Sequence, residues 1–79
     1  MDDKQIERVV RQLRAYLTER PRSADTLEGI HHFWLVVEAT GTQAPIAATL
    51  EALCRLESEG FLERRAIGKT WLWRRPIPL

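Results

Sequence analysis

The side chains with metal-binding or nucleophilic chemistry are few: His31, His32 and Cys54. Neighbouring residues on a helix point about 100° apart, so the two histidines cannot converge on one ion as residues four apart do. Glu38 and Cys54 add no recognised ligand spacing. Cys54 lies among leucines, where a cysteine acts as a small hydrophobic residue rather than as a nucleophile. The sequence therefore predicts no metal site and no catalytic cysteine.

The chain is also poor in enzyme motifs. It has no glycine-rich phosphate loop, no nucleophile elbow and no repeated arrangement of carboxylates and histidines. A chain of 79 residues buries only about 60% of its unfolded surface, which leaves little material for a deep pocket. We expect a binding protein that is not an enzyme and needs no cofactor.

Basic residues cluster near the C-terminus. Residues 61–79 carry a net charge of +4, and such a cluster is typical of a surface that contacts phosphates. The bases are Arg64, Arg65, Lys69, Arg74 and Arg75. The alternative interpretation is a hairpin that uses arginine to solvate its outer face.

Two helices are predicted in the first half of the chain. Helix 1 covers about residues 4–19, begins after Asp2 or Asp3 and must end before Pro21. Helix 2 covers about 26–38, with Asp25 as its cap and Glu28 completing a capping box. Its inner stripe is Leu27, Ile30, Trp34 and Val37. The surplus apolar residues Phe33, Leu35 and Val36 need a second contact surface, and Gly41 is the predicted stop.

A third helix and a hairpin complete the chain. Helix 3 covers about 44–59, with Pro45 in its first turn and Gly60 at its end. Its predicted inner stripe is Ile46, Leu50, Leu53 and either Leu56 or Glu57, and its predicted outward positions include Ala48, Thr49 and Ala52. The hairpin spans about 61–75, with Gly68 and Lys69 as a tight turn.

The order of these elements predicts one α+β domain over residues 1–79, three helices followed by a two-stranded β-hairpin wing. The segment from Leu50 to Arg65, LEALCRLESEGFLERR, resembles the end of the recognition helix and the first wing strand of bacterial winged helix-turn-helix transcriptional regulators. The pattern is one of spaced leucines, a glycine, two apolar residues and a basic pair. Such a superfamily signature specifies fold better than function.

The resemblance implies binding to double-stranded DNA, with helix 3 in the major groove and the wing on the phosphate backbone. Phosphate contacts would come from Arg64, Arg65, Lys69 and Arg74, and groove contacts from Thr42, Gln43 and Thr49. Against this, segment 44–60 carries a net charge of −2, which phosphate repels. Any reading of base sequence by this helix is therefore expected to be modest.

The alternative is a winged helix that binds another protein and no nucleic acid. The residues that would serve are His31, Leu35, Trp71 and Trp73, since tryptophan is enriched at binding hot spots. Trp71 and Trp73 alternate on one strand, so both rings lie on one face, either at a partner or closing the core, with Leu72 on the other. A homodimer formed through helix 1 or helix 2 is a further expectation.

The cellular compartment is predicted from the cysteine count, the N-terminal residues and the length of the apolar runs. A single cysteine forms no internal disulfide, and no export signal precedes the first helix. The longest apolar run, Phe33 to Val37, is far shorter than the roughly 20 residues that span a bilayer. We expect a cytoplasmic protein without membrane contact.

Overall fold

Helix α1 runs from Asp3 to Glu19 in the computed structural model, which describes residues 2–35 and 44–76. Asp2 caps it by accepting a 2.7 Å hydrogen bond from the backbone N–H of Gln5. The N–H of Arg20 donates to the carbonyl of Tyr16 and closes the last turn before Pro21. The predicted helix 1 is confirmed, and its buried face is formed by Ile6, Val9, Leu13 and Leu17.

The second helix is shorter than predicted. Helix α2, Leu27–Gly29, is continued by the π-helical turn Ile30–Trp34, and Leu35 then takes an extended conformation. The prediction that this helix reaches Glu38 is therefore wrong, because the backbone leaves the helical region at Leu35. The ring of Trp34 stacks on Tyr16 of α1, with centroids 4.6 Å apart, and this contact packs the π-helical turn against α1. Val36, Val37, Glu38 and Gly41 lie outside the described residues.

The cap of this helix is Thr26, not Asp25 as the sequence suggested. The Thr26 hydroxyl accepts a 3.2 Å hydrogen bond from the N–H of Gly29. Asp25 belongs to the strand before the helix, and its carboxylate accepts from the N–H of Thr26. The predicted inner stripe is confirmed for Ile30 and Trp34, which are buried.

Helix α3 runs from Ile46 to Ser58, with Pro45 just before its first turn. Its end is confirmed at Gly60, whose φ of +80° is left-handed. The N–H of Gly60 donates to Glu57 and that of Phe61 to Leu56, the paired hydrogen bonds that close many helices.

The buried face of α3 includes Leu53 and Leu56 of the predicted stripe but not Ile46 or Leu50. It is formed by Ala48, Thr49, Ala52, Leu53 and Leu56, whereas Ile46 and Leu50 are 39% and 40% exposed. The prediction was wrong for Ile46 and Leu50 because it assigned all the large apolar side chains to the interior. The helix packs on α1, and small side chains at such a contact let two helices approach closely.

Three antiparallel strands form a small sheet: β1 (Ala24–Asp25), β2 (Glu63–Ile67) and β3 (Thr70–Arg74), in the order β1-β3-β2. The predicted hairpin is confirmed, with Gly68 at a φ of +60° in its turn. Strand β1, which was not predicted, pairs Asp25 with Trp73.

The core lies between α1, the π-helical turn, α3 and the inner face of the sheet. Besides the helical residues, Leu62 and Trp73 contribute to it, and both are only 2% exposed. The predicted fold class is confirmed: the chain is a small α+β domain with a winged-helix-like layout. None of the helices among the described residues combines the length and apolar character needed to cross a membrane.

Candidate binding surface of α3 and the hairpin

Arg64 of β2 binds an acidic side chain of α3, that of Glu57. Its Nε and Nη2 atoms donate hydrogen bonds of 2.8 Å each to the two carboxylate oxygens of Glu57. The guanidinium also lies over Trp73, 4.7 Å from the ring centroid, and near Trp71 at 5.5 Å. The hydrogen bonds lower the pKa of Glu57 and raise the pKa of Arg64. Both groups are charged at neutral pH, and each neutralises the other.

Arg65 and Arg74 lie on the opposite face of the sheet, where both approach Glu63. The nearest nitrogen–oxygen distances to this carboxylate are 3.4 Å for Arg65 and 2.9 Å for Arg74. Strand alternation separates them from Arg64. The four predicted phosphate ligands therefore do not share one surface. Of these, only Lys69, exposed in the turn, forms no ion pair among the described residues.

Thr49 and His31 are both removed from solvent. Thr49 is fully buried, and its Oγ1 shares a 2.8 Å hydrogen bond with Nδ1 of His31, which is 7% exposed. Burial, with a smaller contribution from the nearby His32, lowers the pKa of His31. The prediction of Thr49 as a DNA contact and that of His31 as a partner contact are therefore both wrong. Thr42 and Gln43 lie outside the described residues.

The two hairpin tryptophans share a face, as their alternation predicted, but have different roles. Trp73 is 2% exposed and closes the core, so its predicted contact with a partner is wrong. Trp71, nearer the turn, is 48% exposed. Leu35, another predicted partner contact, is half-buried and packs against the core. Of the residues predicted to meet a protein, Trp71 is the one with a largely open side chain.

A groove lies beside Trp71, between the start of α2, the outward face of α3 and the hairpin. Its volume is about 350 Å³. It is lined by Leu27, Glu28, Leu50, Arg64, Thr70, Trp71 and Trp73. Ile46, one helical turn before Leu50, extends the apolar character of α3 along its exposed side. We call this groove and Ile46 the α3–hairpin surface.

Sequence reasoning missed the contribution of Ile46 and Leu50 because it placed both inside. The spacing of the smaller residues in α3 did indicate which face is buried. Ala48, Ala52 and Leu56 recur every four residues, as do Thr49 and Leu53, which is also the spacing of one helical face. Interpreting that stripe as the buried one turns Ile46 and Leu50 outward.

One acidic group, that of Glu28, borders the α3–hairpin surface. Glu28 lines the groove and is exposed, and it forms no ion pair with the residues that the structure describes. Glu51, next to Leu50 on α3, does not line the groove and lies 3.8 Å from Arg55. The single guanidinium in the groove, that of Arg64, is already bound to Glu57. The surface is therefore apolar in its middle and has one carboxylate, that of Glu28, at its margin.

Within residues 2–35 and 44–76, no three histidine, cysteine, aspartate or glutamate side chains are grouped so as to hold a metal ion. Comparison of the chain with protein-family models, curated proteins and solved structures gives no match.

Proposed function

We propose that this chain is a protein-interaction module with a winged-helix-like layout, and that the α3–hairpin surface binds an amphipathic segment of a partner protein. The partner segment supplies apolar side chains and at least one lysine or arginine. The observation that carries the proposal is the exposure of Ile46 and Leu50 on α3. A helix that reads DNA needs polar donors at such positions.

The apolar middle of the surface supports binding by burial. Leu50 and Trp71 border one groove and expose 40% and 48% of their surface. Covering apolar area is favourable by about 25 cal/mol per Å², and a tryptophan in a pocket is a typical hot spot. An aliphatic or aromatic side chain that enters the groove contacts both residues at once.

The acidic margin determines the charge of the partner. Glu28 repels an acidic segment and attracts a basic one. An amphipathic helix with apolar residues three and four apart and a cation at one edge satisfies both features.

Double-stranded DNA is the second candidate partner, as expected of a winged-helix transcriptional regulator. It is supported by Lys69 and by the exposed side chain of Arg65, which lies 3.4 Å from Glu63. Contacts at this edge of the wing would be few, so their affinity would fall quickly as salt rises. The free cysteine Cys54 is compatible with a reducing compartment, and we propose that the protein acts in the cytoplasm.

The proposal is tested by selecting a displayed library of random peptides on the immobilised protein. We expect enrichment of peptides that combine spaced apolar residues with lysine or arginine. Binding of the enriched peptides should weaken at least about tenfold, or 1.4 kcal/mol, in Leu50→Ser and in Trp71→Ala. Ile67→Ser is the matched control, because Ile67 is 54% exposed but does not line the groove.

Three outcomes would overturn the proposal: no enrichment, enrichment of acidic peptides, or equal loss of binding in Ile67→Ser. The DNA alternative is tested by titrating a generic duplex at low and at near-physiological salt. If the duplex binds with a steep salt slope that Arg65→Ala combined with Lys69→Ala flattens, DNA is the partner. A light-scattering mass of two chains that falls to one in Leu50→Ser would instead identify the occupant as a second copy.

A further inference from the structure

A second concave site lies at the end of the sheet away from the turn at Gly68. It is formed where the loop after α1 passes the chain that leaves β3, beside the pairing of Ala24 with Arg74. The pocket has a volume of about 660 Å³, and three arginines line it: Arg22, Arg74 and Arg75. None of the three lines the α3–hairpin groove.

The positive charge of this pocket is only partly neutralised. Arg74 donates from Nε to Glu63 at 2.9 Å, which leaves its terminal nitrogens without that partner. Arg75 donates to the backbone carbonyl of Phe61 and lies over the Phe61 ring at 3.7 Å, and both of these partners are uncharged. No ion pair to Arg22 is found among the described residues. Among the described residues, Glu63 is the one carboxylate paired with any of these three arginines, and it also lies 3.4 Å from Arg65.

We propose that this pocket is a binding site for a phosphate group, either inorganic phosphate or a phosphate monoester. Guanidinium donors form paired, charge-assisted hydrogen bonds with phosphate oxygens. A phosphate dianion matches the two guanidinium charges that Glu63 leaves uncompensated, and it has enough oxygens for donors from three side chains. A carboxylate has one charge and two oxygens and satisfies fewer of them.

The walls of the pocket are partly fixed before any ligand arrives. Phe61 holds Arg75 through its carbonyl and its ring. Pro21 and Pro76 lie on the two sides, and each proline fixes its own φ near −65°. A preformed site loses less conformational entropy on binding than a flexible one.

The site is tested by NMR titration of backbone amides with inorganic phosphate at constant ionic strength, and in parallel with phenyl phosphate. We expect saturable shifts at Ser23 and Arg75 with either ligand. Tighter binding of phenyl phosphate would identify a monoester as the natural form. Arg22→Gln should weaken binding about tenfold. Arg11→Gln, which removes one exposed arginine from α1, is the charge-matched control and should bind as the wild type does.

Shifts that rise linearly without saturation would overturn the proposal. So would equal binding of acetate, unchanged affinity in Arg22→Gln, or equal weakening in Arg11→Gln, since each would mean that the pocket does not select phosphate through its own arginines. Arg22 is an exposed loop residue, so its substitution is expected to leave folding intact. The result of this phosphate titration does not depend on whether a peptide binds the α3–hairpin surface.

Discussion

Arg64 and Glu57 are joined by two hydrogen bonds of 2.8 Å each, one from Nε and one from Nη2 of the guanidinium. The pair connects β2 to α3, and its side chains are only 33% and 32% exposed. Because Arg64 also covers the ring of Trp73, it helps to fix the hairpin on the helical part of the domain. Because two of its nitrogens already bind Glu57, Arg64 has fewer hydrogen-bond donors left for an external anion.

Replacement of Glu57 by glutamine should lower the free energy of unfolding by about 1 kcal/mol at neutral pH, because one charged partner of the pair is lost. The pKa of Glu57 is held below its ordinary value of 4.5, first by its hydrogen bonds with Arg64. A carboxylate with a lowered pKa stabilises the fold above its unfolded pKa and loses that effect as pH falls through its folded pKa. The difference between the variant and the wild type should therefore shrink below pH 4.5.

Urea unfolding at neutral and acidic pH measures this effect. Glu19→Gln is the control, since its pair with Arg20 is exposed and 3.6 Å long, and it should change stability by less than about 0.5 kcal/mol. A cost for Glu57→Gln that stays constant into the acid range would contradict the ionic account.

His31 should make the domain less stable in weak acid. Its pKa is lowered from 6.5 by burial, with a smaller contribution from His32. Because the folded protein binds this proton less readily than the unfolded chain does, stability is greatest above pH 6.5 and falls as pH decreases below it. His31→Gln should remove this part of the pH dependence. The imidazole proton shifts of His31 give its pKa directly, and titration at or above 6.5 would refute the prediction.

Thr49→Val should destabilise the fold by about 1 to 2 kcal/mol, because the hydrogen bond to His31 is lost inside the core. The two side chains have similar volumes, so little cavity is expected. Chemical denaturation measures the change. Thr18→Val is the matched control, because the Thr18 hydroxyl is exposed and bonds only to the carbonyl of Arg14 in its own helix. An equal effect of both substitutions would mean that the buried hydrogen bond has no special importance.

The two hairpin tryptophans should differ sharply when truncated. Trp73→Ala removes a buried ring and should cost about 3 to 5 kcal/mol, a large part of the stability of so small a domain. Trp71→Ala removes a half-exposed ring and should cost less than about 1 kcal/mol. Denaturation midpoints compare the variants, and similar losses would show that both rings belong to the core.

The sequence predicted the elements whose signals are local. Helix α1 has one apolar stripe between Asp2 and Pro21, and the hairpin has Gly68 in its turn. Strand β1 has only two residues, too few for any alternation to be seen, and it forms because β3 is beside it. The helix ends at Leu35 with no proline or glycine next to it, so no local signal predicts its end.

The candidate surface was harder to predict because it depends on how α3 is rotated. Hydrophobicity alone places Ile46 and Leu50 inside, whereas the contact with α1 is made by smaller side chains. The partners of the wing arginines are also tertiary: Glu57 meets Arg64 only because the chain reverses after Gly60. Charge counted along the sequence predicted a basic wing, but Glu57 and Glu63, which neutralise part of that charge, are brought to it only by the fold.

The most direct test of the proposed docking surface is an NMR map of the bound peptide that the library selection yields. We predict that the largest shift changes fall on the amides of Ile46 and Leu50 and on the indole N–H of Trp71, with Ile67 and Arg65 unaffected. Changes confined to the outer sheet face around Arg65, or spread evenly over the domain, would contradict the account and show that the apolar side of α3 is not where a partner binds.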